Sequence, residues 1–327
     1  MATYKEIHGV KVQYRDSDAT AVEGDVWYNS STGKLRMYAS LGSWASTPAV
    51  NVARYAMASA GTATAAVIAG GYGGSPAGTI ATTEEYNGSS WTEVNDLGTA
   101  KTQACMGVMG TQTAALSVGG APPPGALVQI YDGTNWTNAA ANMNTAKYSG
   151  ANFGTTTAAL ATGGEVTATI EEAETFDGSS WTEVADLNQE RAYLTGFGTT
   201  TAGIVVGGFN PPTATLLGNT ETWNGTAWTE GNDLNTARTK LNGAGITTAG
   251  LVFSGSHDPN EAAAITESYD GTSCAEVGDL SQPRSDSSAH GTATSALTAT
   301  GTGKNNGGGT TSEEWSFSAS VETVAFD

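Results

Sequence analysis

YNGSSW occupies residues 86–91, and near-copies return as YDGTNW at 131–136, FDGSSW at 176–181, WNGTAW at 223–228 and YDGTSC at 269–274. Asn-Gly or Asp-Gly between β-formers is the strongest short-range hairpin signal, because a type I′ turn needs φ > 0 at both central residues. Each copy predicts two strands, one ending in the aromatic and one beginning near the Trp. A second unit precedes each copy: AGTATAAVIAGG (60–71), GTQTAALSVGG (110–120), GTTTAALATGG (154–164), GTTTAGIVVGG (198–208) and GITTAGLVFSG (245–255). HGTATSALTATG (290–301) is a weaker sixth copy. This unit reads as another hairpin, whose Ala-rich second strand ends at glycines.

Two hairpins per repeat make a four-stranded antiparallel sheet. The hairpin aromatics stand at 86, 131, 176, 223, 269 and 315, and a period of that size with four strands per unit is the signature of an all-β propeller. Small residues in the second strand suit the crowded axis of such a disc. A Gly-Gly pair after an apolar strand, then an aromatic, then Trp, resembles the kelch repeat over at least residues 53–315. The resemblance implies a closed ring of blades and no fixed activity, since that fold hosts many functions.

Composition agrees. Glycine supplies 43 residues and charged side chains only 14%, which favours turns and small-residue strands over charged amphipathic helices. The net charge of −19 repels phosphate backbones and disfavours nucleic acid as a partner. The start, MATYKEIHG, carries no secretory h-region, and no apolar run is long enough for a spanning helix, so no membrane insertion is expected. Cys105 and Cys274 lie in strand positions without metal or redox spacing and read as small buried thiols.

Charges recur in register as well. One base opens each repeat, at Arg54, Lys101, Lys147, Arg191, Arg238 and Arg284. Glu84, Gln129, Glu174, Glu221, Glu267 and Glu313 stand two residues before the hairpin aromatic, hence on its strand face, where blades pack. One base–acid pair per blade is expected. The N-terminal segment has the parts in altered form: GVKVQYR (9–15) and GDVWYN (24–29) read as a hairpin, Tyr38 and Trp44 take the aromatic roles, and Glu6 with Arg36 shows the pair with its charges exchanged. Seven blades follow, at about 5–48, 53–97, 101–143, 147–187, 191–234, 238–280 and 284–327. Six blades plus an N-terminal hairpin is the alternative.

Chemistry is sparse. His8, His257 and His290 form no metal-ligand spacing, and GKNNGGG (303–309) lacks the Lys-Ser/Thr ending of a phosphate loop. Copper-oxidase kelch proteins need a Cys, Tyr and His cluster, whereas Cys274 occupies a Trp slot. Asp96, Asp186, Asp233 and Asp279 recur before leucine like scaffold, and Asp132, Asp177 and Asp270 are turn residues. Asp16 and Asp18 leave calcium open, with solvation the plainer reading. No catalytic residue, metal or cofactor is expected. Repeats disagree most between their second and third strands: YGGSPAGTI (72–80), APPPGALV (121–128), EVTATIEE (165–172), FNPPTATLLG (209–218), SHDPNEAAAI (256–265) and TGKNNGGGT (302–310). These loops share one face of a propeller, the usual place for binding, with Tyr72, Phe209 and His257 as contact side chains.

GDVWYNSSTGKLRMY (24–38), NVAR (51–54) and the NGSSWTEVNDL-type blades together resemble kelch-like virion proteins of marine tailed phages over nearly the whole chain. That resemblance implies a non-enzymatic structural or adhesive component of a tail, fibre or capsid; the acidic surface and the missing signal fit a virion protein assembled in the host cytoplasm. Its partners would be other virion proteins and a host-surface glycan or receptor. A free lectin-like or carbohydrate-active propeller is the alternative.

Overall fold

The computed structural model describes residues 12–18, 25–74, 77–104, 109–121, 123–258, 261–303 and 308–324. The chain forms two units, Trp44–Trp315 on one hand and Met1–Ser43 with Ser316–Asp327 on the other. Among the described residues there is no α-helix; a single 3-10 turn, Pro211–Thr213, is the only helical element.

The larger unit is a succession of antiparallel sheets. Sheet one holds Ala58–Thr62, Ala65–Ala69, Thr83–Tyr86 and Trp91–Val94, and sheet two Gly110–Thr111, Ala114–Val118, Val128–Tyr131 and Trp136–Asn138. Sheet three holds Ala151–Thr155, Ala158–Thr162, Ala173–Phe176 and Trp181–Val184, and sheet four Thr195–Thr199, Ala202–Asn210, Thr215–Trp223 and Trp228–Glu230. Sheet five holds Asn242–Ile246, Ala249–Phe253, Thr266–Tyr269 and Cys274–Glu276. Sheet six begins with His290–Gly291 and Ser295–Ala299, continues with 312–315, and takes 44–47 as its outer strand.

Both hairpins occur where the repeated phrases predict them, but the turn differs. Tyr86 pairs with Trp91 across a four-residue loop, in which Gly88 alone has positive φ. The Asn87 side chain accepts the N–H groups of Ser89 and Ser90 at 2.9 Å each. Asp132, Asp177, Asn224 and Asp270 repeat this. The turn is an Asx-closed loop rather than type I′, because the short side chain supplies the acceptor that a second left-handed residue would otherwise organise.

Aromatics bind neighbouring sheets. Tyr86 and Trp91, rings 5.0 Å apart, pack with Ile68 against Leu297 and Ala299 of sheet six. Tyr131 and Trp136 of sheet two pack on Val67 and Ala69, and Phe176 and Trp181 of sheet three on Leu116 and Val118. Trp223 and Trp228 meet Phe153 and Leu160, Tyr269 meets Ile204 and Val206, and Trp315 meets Leu251 and Phe253. Burying one such side chain contributes about 1.5–3 kcal/mol. Where the aromatic of one sheet needs room, its neighbour is glycine: a Cβ on Gly203 would lie 2.3 Å from the Phe153 ring.

Cys274 begins its strand half-buried, not fully buried as expected, because the edge position leaves one side to solvent. Cys105 lies outside the described residues. Asp96, Asp186 and Asp279 accept the N–H groups of Thr83, Ala173 and Thr266, capping third strands.

In the smaller unit Gln13–Arg15 pairs with Val26–Asn29 in parallel, so the expected N-terminal hairpin is absent. Strands that run the same way cannot be joined by a tight hairpin turn. Val26–Asn29 pairs antiparallel with 34–37. The Asp18 carboxylate accepts from Trp27 Nε1 at 3.1 Å and Asn29 Nδ2 at 2.6 Å, and Arg36 Nε lies 3.6 Å from its other oxygen. The carboxylate is thus engaged by protein donors. Arg36 also donates to Thr323; Glu6, its expected partner, lies outside the described residues.

Candidate binding face

Each repeat base is buried at the start of its sheet. Arg54 Nη2 lies 2.6 Å from Glu84 Oε1, Arg191 2.6 Å from Glu221, Arg238 2.8 Å from Glu267 and Arg284 2.5 Å from Glu313. Lys147 Nζ is 3.8 Å from Glu174 and donates to the Glu172 carbonyl at 3.1 Å. Lys101 donates to the carbonyls of Ser117 and Leu127. Burial pulls the Arg191 guanidinium below its ordinary pKa while Glu221 opposes the shift. The acids also hold backbone. Glu84 accepts the N–H groups of Asn51 and Val52, and Glu221 that of Asn188. The pairs therefore pin each connector to the sheet it enters.

Two residues beyond the bases stand Ala56, Gln103, Ser149, Tyr193, Lys240 and Asp286. All six are left-handed, with φ between 50° and 56°, a conformation that costs a non-glycine residue about 1–2 kcal/mol. Their amides explain it. Gln103 N donates to Ala56 O, Ser149 to Gln103, Tyr193 to Ser149, Lys240 to Tyr193 and Asp286 to Lys240, and Ala56 N donates to Asp286 O, returning the series to its start at 2.7–3.0 Å throughout. A second series runs alongside. Gly71, Gly120, Gly164, Gly208 and Gly255 each donate to the carbonyl of the next repeat's base, and Gly301 donates to that of Arg54.

Beside these paired series lie side chains from several repeats. Tyr55 and Tyr72, paired in a short ladder, have rings 5.4 Å apart. Tyr193 Oη lies 3.4 Å from Glu165 Oε2. The neighbouring Glu165 carboxylate foremost, and then burial, push the Tyr148 phenol up to about 12. Lys240 Nζ lies 5.7 Å from the Tyr193 ring centroid and 3.4 Å from Asp286. Burial raises the Asp286 pKa and Lys240 opposes it. Asp286 also raises the Tyr55 pKa, after burial and Tyr72.

Of the expected contact residues, Tyr72 belongs to this cluster. Phe209 is half-buried within the strand Ala202–Asn210, bridged to Ala192, so its segment is an extended hairpin and not a loop. His257 is exposed on the strand Ser256–Asp258. Sequence reasoning passes over Tyr55, Tyr148, Tyr193, Lys240 and Asp286. Their signal is present in the repeats: at one and two residues past each base, side chains change from repeat to repeat while the base does not.

No protein-family model and no curated protein matches the sequence.

Proposed function

We propose that the chain is a closed six-bladed propeller of the kelch type carrying a further N-terminal unit, and that it works as a non-catalytic binding and adhesive component of a virion. The two cyclic hydrogen-bond series, each with six members, support six blades over seven. The strand 44–47 on the outside of sheet six then joins the start of the array to its end. The observation that carries a binding role is the contrast within each repeat. Buried pairs, turns and stacked aromatics recur from blade to blade, whereas the face over the amide series varies and is rich in Tyr. Rigid scaffolds with one variable face present recognition surfaces. The virion setting rests on the likeness of WYNSSTGKL and the repeated blades to marine tailed-phage proteins.

Two measurements test this. Mass spectrometry of purified particles should find the chain at stoichiometric level, and its absence defeats the virion assignment. Host-cell adhesion of the fluorescent protein should fall when Tyr148 and Tyr193 are replaced by Ala, and unchanged adhesion removes this face from the binding role. Hydrolysis of a bound glycan would favour the carbohydrate-active alternative.

A further inference from the structure

We propose that the tyrosine–carboxylate face binds a cation, an ammonium or guanidinium group presented by a basic peptide segment of a partner protein; this rests on reading that face as the binding face.

Three observations converge. First, Lys240 already shows what the face stabilises: its ammonium rests against the Tyr193 ring and pairs with Asp286, the aromatic-plus-carboxylate setting that favours cations. Second, Glu165 accepts from Tyr193 and lies on the strand bridge beside Tyr148, yet among the described residues no base stands within ion-pair distance of it. The Tyr193 phenol donates to this carboxylate, with lone pairs left for a charged donor. Third, the chain carries −19 overall, so a basic segment is drawn toward it from a distance and a phosphate or acidic peptide is repelled. Lys240 itself is partly exposed. It acts as an internal competitor that an incoming cation displaces from Tyr193 and Asp286.

The test uses the full chain with 13C-labelled tyrosine, an acetylated tetralysine amide as probe, and acetylated tetraglycine and a neutral oligosaccharide as controls, at physiological salt. Tetralysine should shift the ring signals of Tyr55, Tyr148 and Tyr193 and leave those of the buried Tyr86 and Tyr131 unchanged. Glu165→Gln should weaken binding about tenfold, while Lys240→Ala should strengthen it several-fold by removing the competitor. Equal affinity in wild type and both variants would mean general attraction to an acidic surface and overturns the proposal. So does a failure of tetralysine to shift those three tyrosines. If the oligosaccharide shifts them and tetralysine does not, the cation assignment falls while the binding face stands; loss of adhesion in the Tyr148 and Tyr193 variants reads the face separately.

Discussion

The amide of Ala56 donates to the carbonyl of Asp286 at 2.8 Å, joining the first repeat to the last through two residues that both hold φ near +50°. The bond depends on backbone conformation, so substitutions at Ala56 should separate sharply by type. Ala56→Pro removes the donor and cannot adopt positive φ; it should destabilise by about 3 kcal/mol or more. Ala56→Gly relieves the left-handed strain at the loss of one buried methyl, and should leave stability within about 1 kcal/mol of wild type. Urea unfolding distinguishes them; equal losses in both variants would mean that the methyl, and not the amide, matters.

Arg191 and Glu221 form a buried pair 2.6 Å apart. Arg191→Met leaves the Glu221 carboxylate buried without its cation and should cost about 3–5 kcal/mol. Glu221→Gln should cost less, because an amide oxygen still accepts the Asn188 N–H and sheet two already has Gln129 at this position. Denaturant midpoints of both variants check the order. The reverse order would place the energetic weight on the acid.

The repeated phrases make the sheets, the aromatic seams and the residues of the buried pairs legible, since each is a local pattern written several times over. Three features are not. The Asx loop uses the same Asn-Gly letters as a type I′ turn, so composition does not separate them. The N-terminal strand pairing is parallel because long-range partners, not the local alternation of GVKVQYR, decide direction. The face containing Tyr193 and Lys240 depends on left-handed residues that no propensity favours; the amide series imposes them. Sequence variation at those positions hides the site while the structure beneath it repeats.

Cys274 stands where sheets one to four have Trp, and Tyr269 lacks the ring that Trp228 gives Trp223 at 5.2 Å. Cys274→Trp should restore the stack and stabilise by about 0.5–1.5 kcal/mol, read as a raised midpoint in thermal unfolding. In the wild type, burial foremost and then Glu267 push the Cys274 thiol up to about 11. Alkylation at pH 8 should therefore be slow until the protein is unfolded. Rapid native labelling at Cys274 would contradict that environment.

His290 spans the same junction as Ala56 and Asp286, and it ties that junction to pH. Its Nδ1 lies 2.8 Å from the Ala60 carbonyl, which can only accept, so the proton sits on Nδ1. Nε2 lies 3.0 Å from the Ser288 hydroxyl, whose oxygen already accepts from Ala299 N and whose hydrogen is thus free to point at the imidazole. A second proton would place a charged imidazolium in a fully buried site and oblige the Ser288 hydroxyl to turn its hydrogen away. Burial holds the imidazole down to about 4, against about 6.5 in an unfolded chain. Above pH 6.5 both states are neutral and the contribution is complete. As pH falls toward 4 the unfolded chain takes up a proton that the native state excludes, and stability declines by at most about 1.4 kcal/mol per pH unit. Below that pH the loss is finished. Unfolding of wild type and His290→Gln at pH 7.5, 6 and 5 isolates the effect, because carboxylates common to both cancel: the wild-type advantage should shrink as pH falls. An advantage that stays constant would place the imidazole in water and leave the Ala60 carbonyl without its partner.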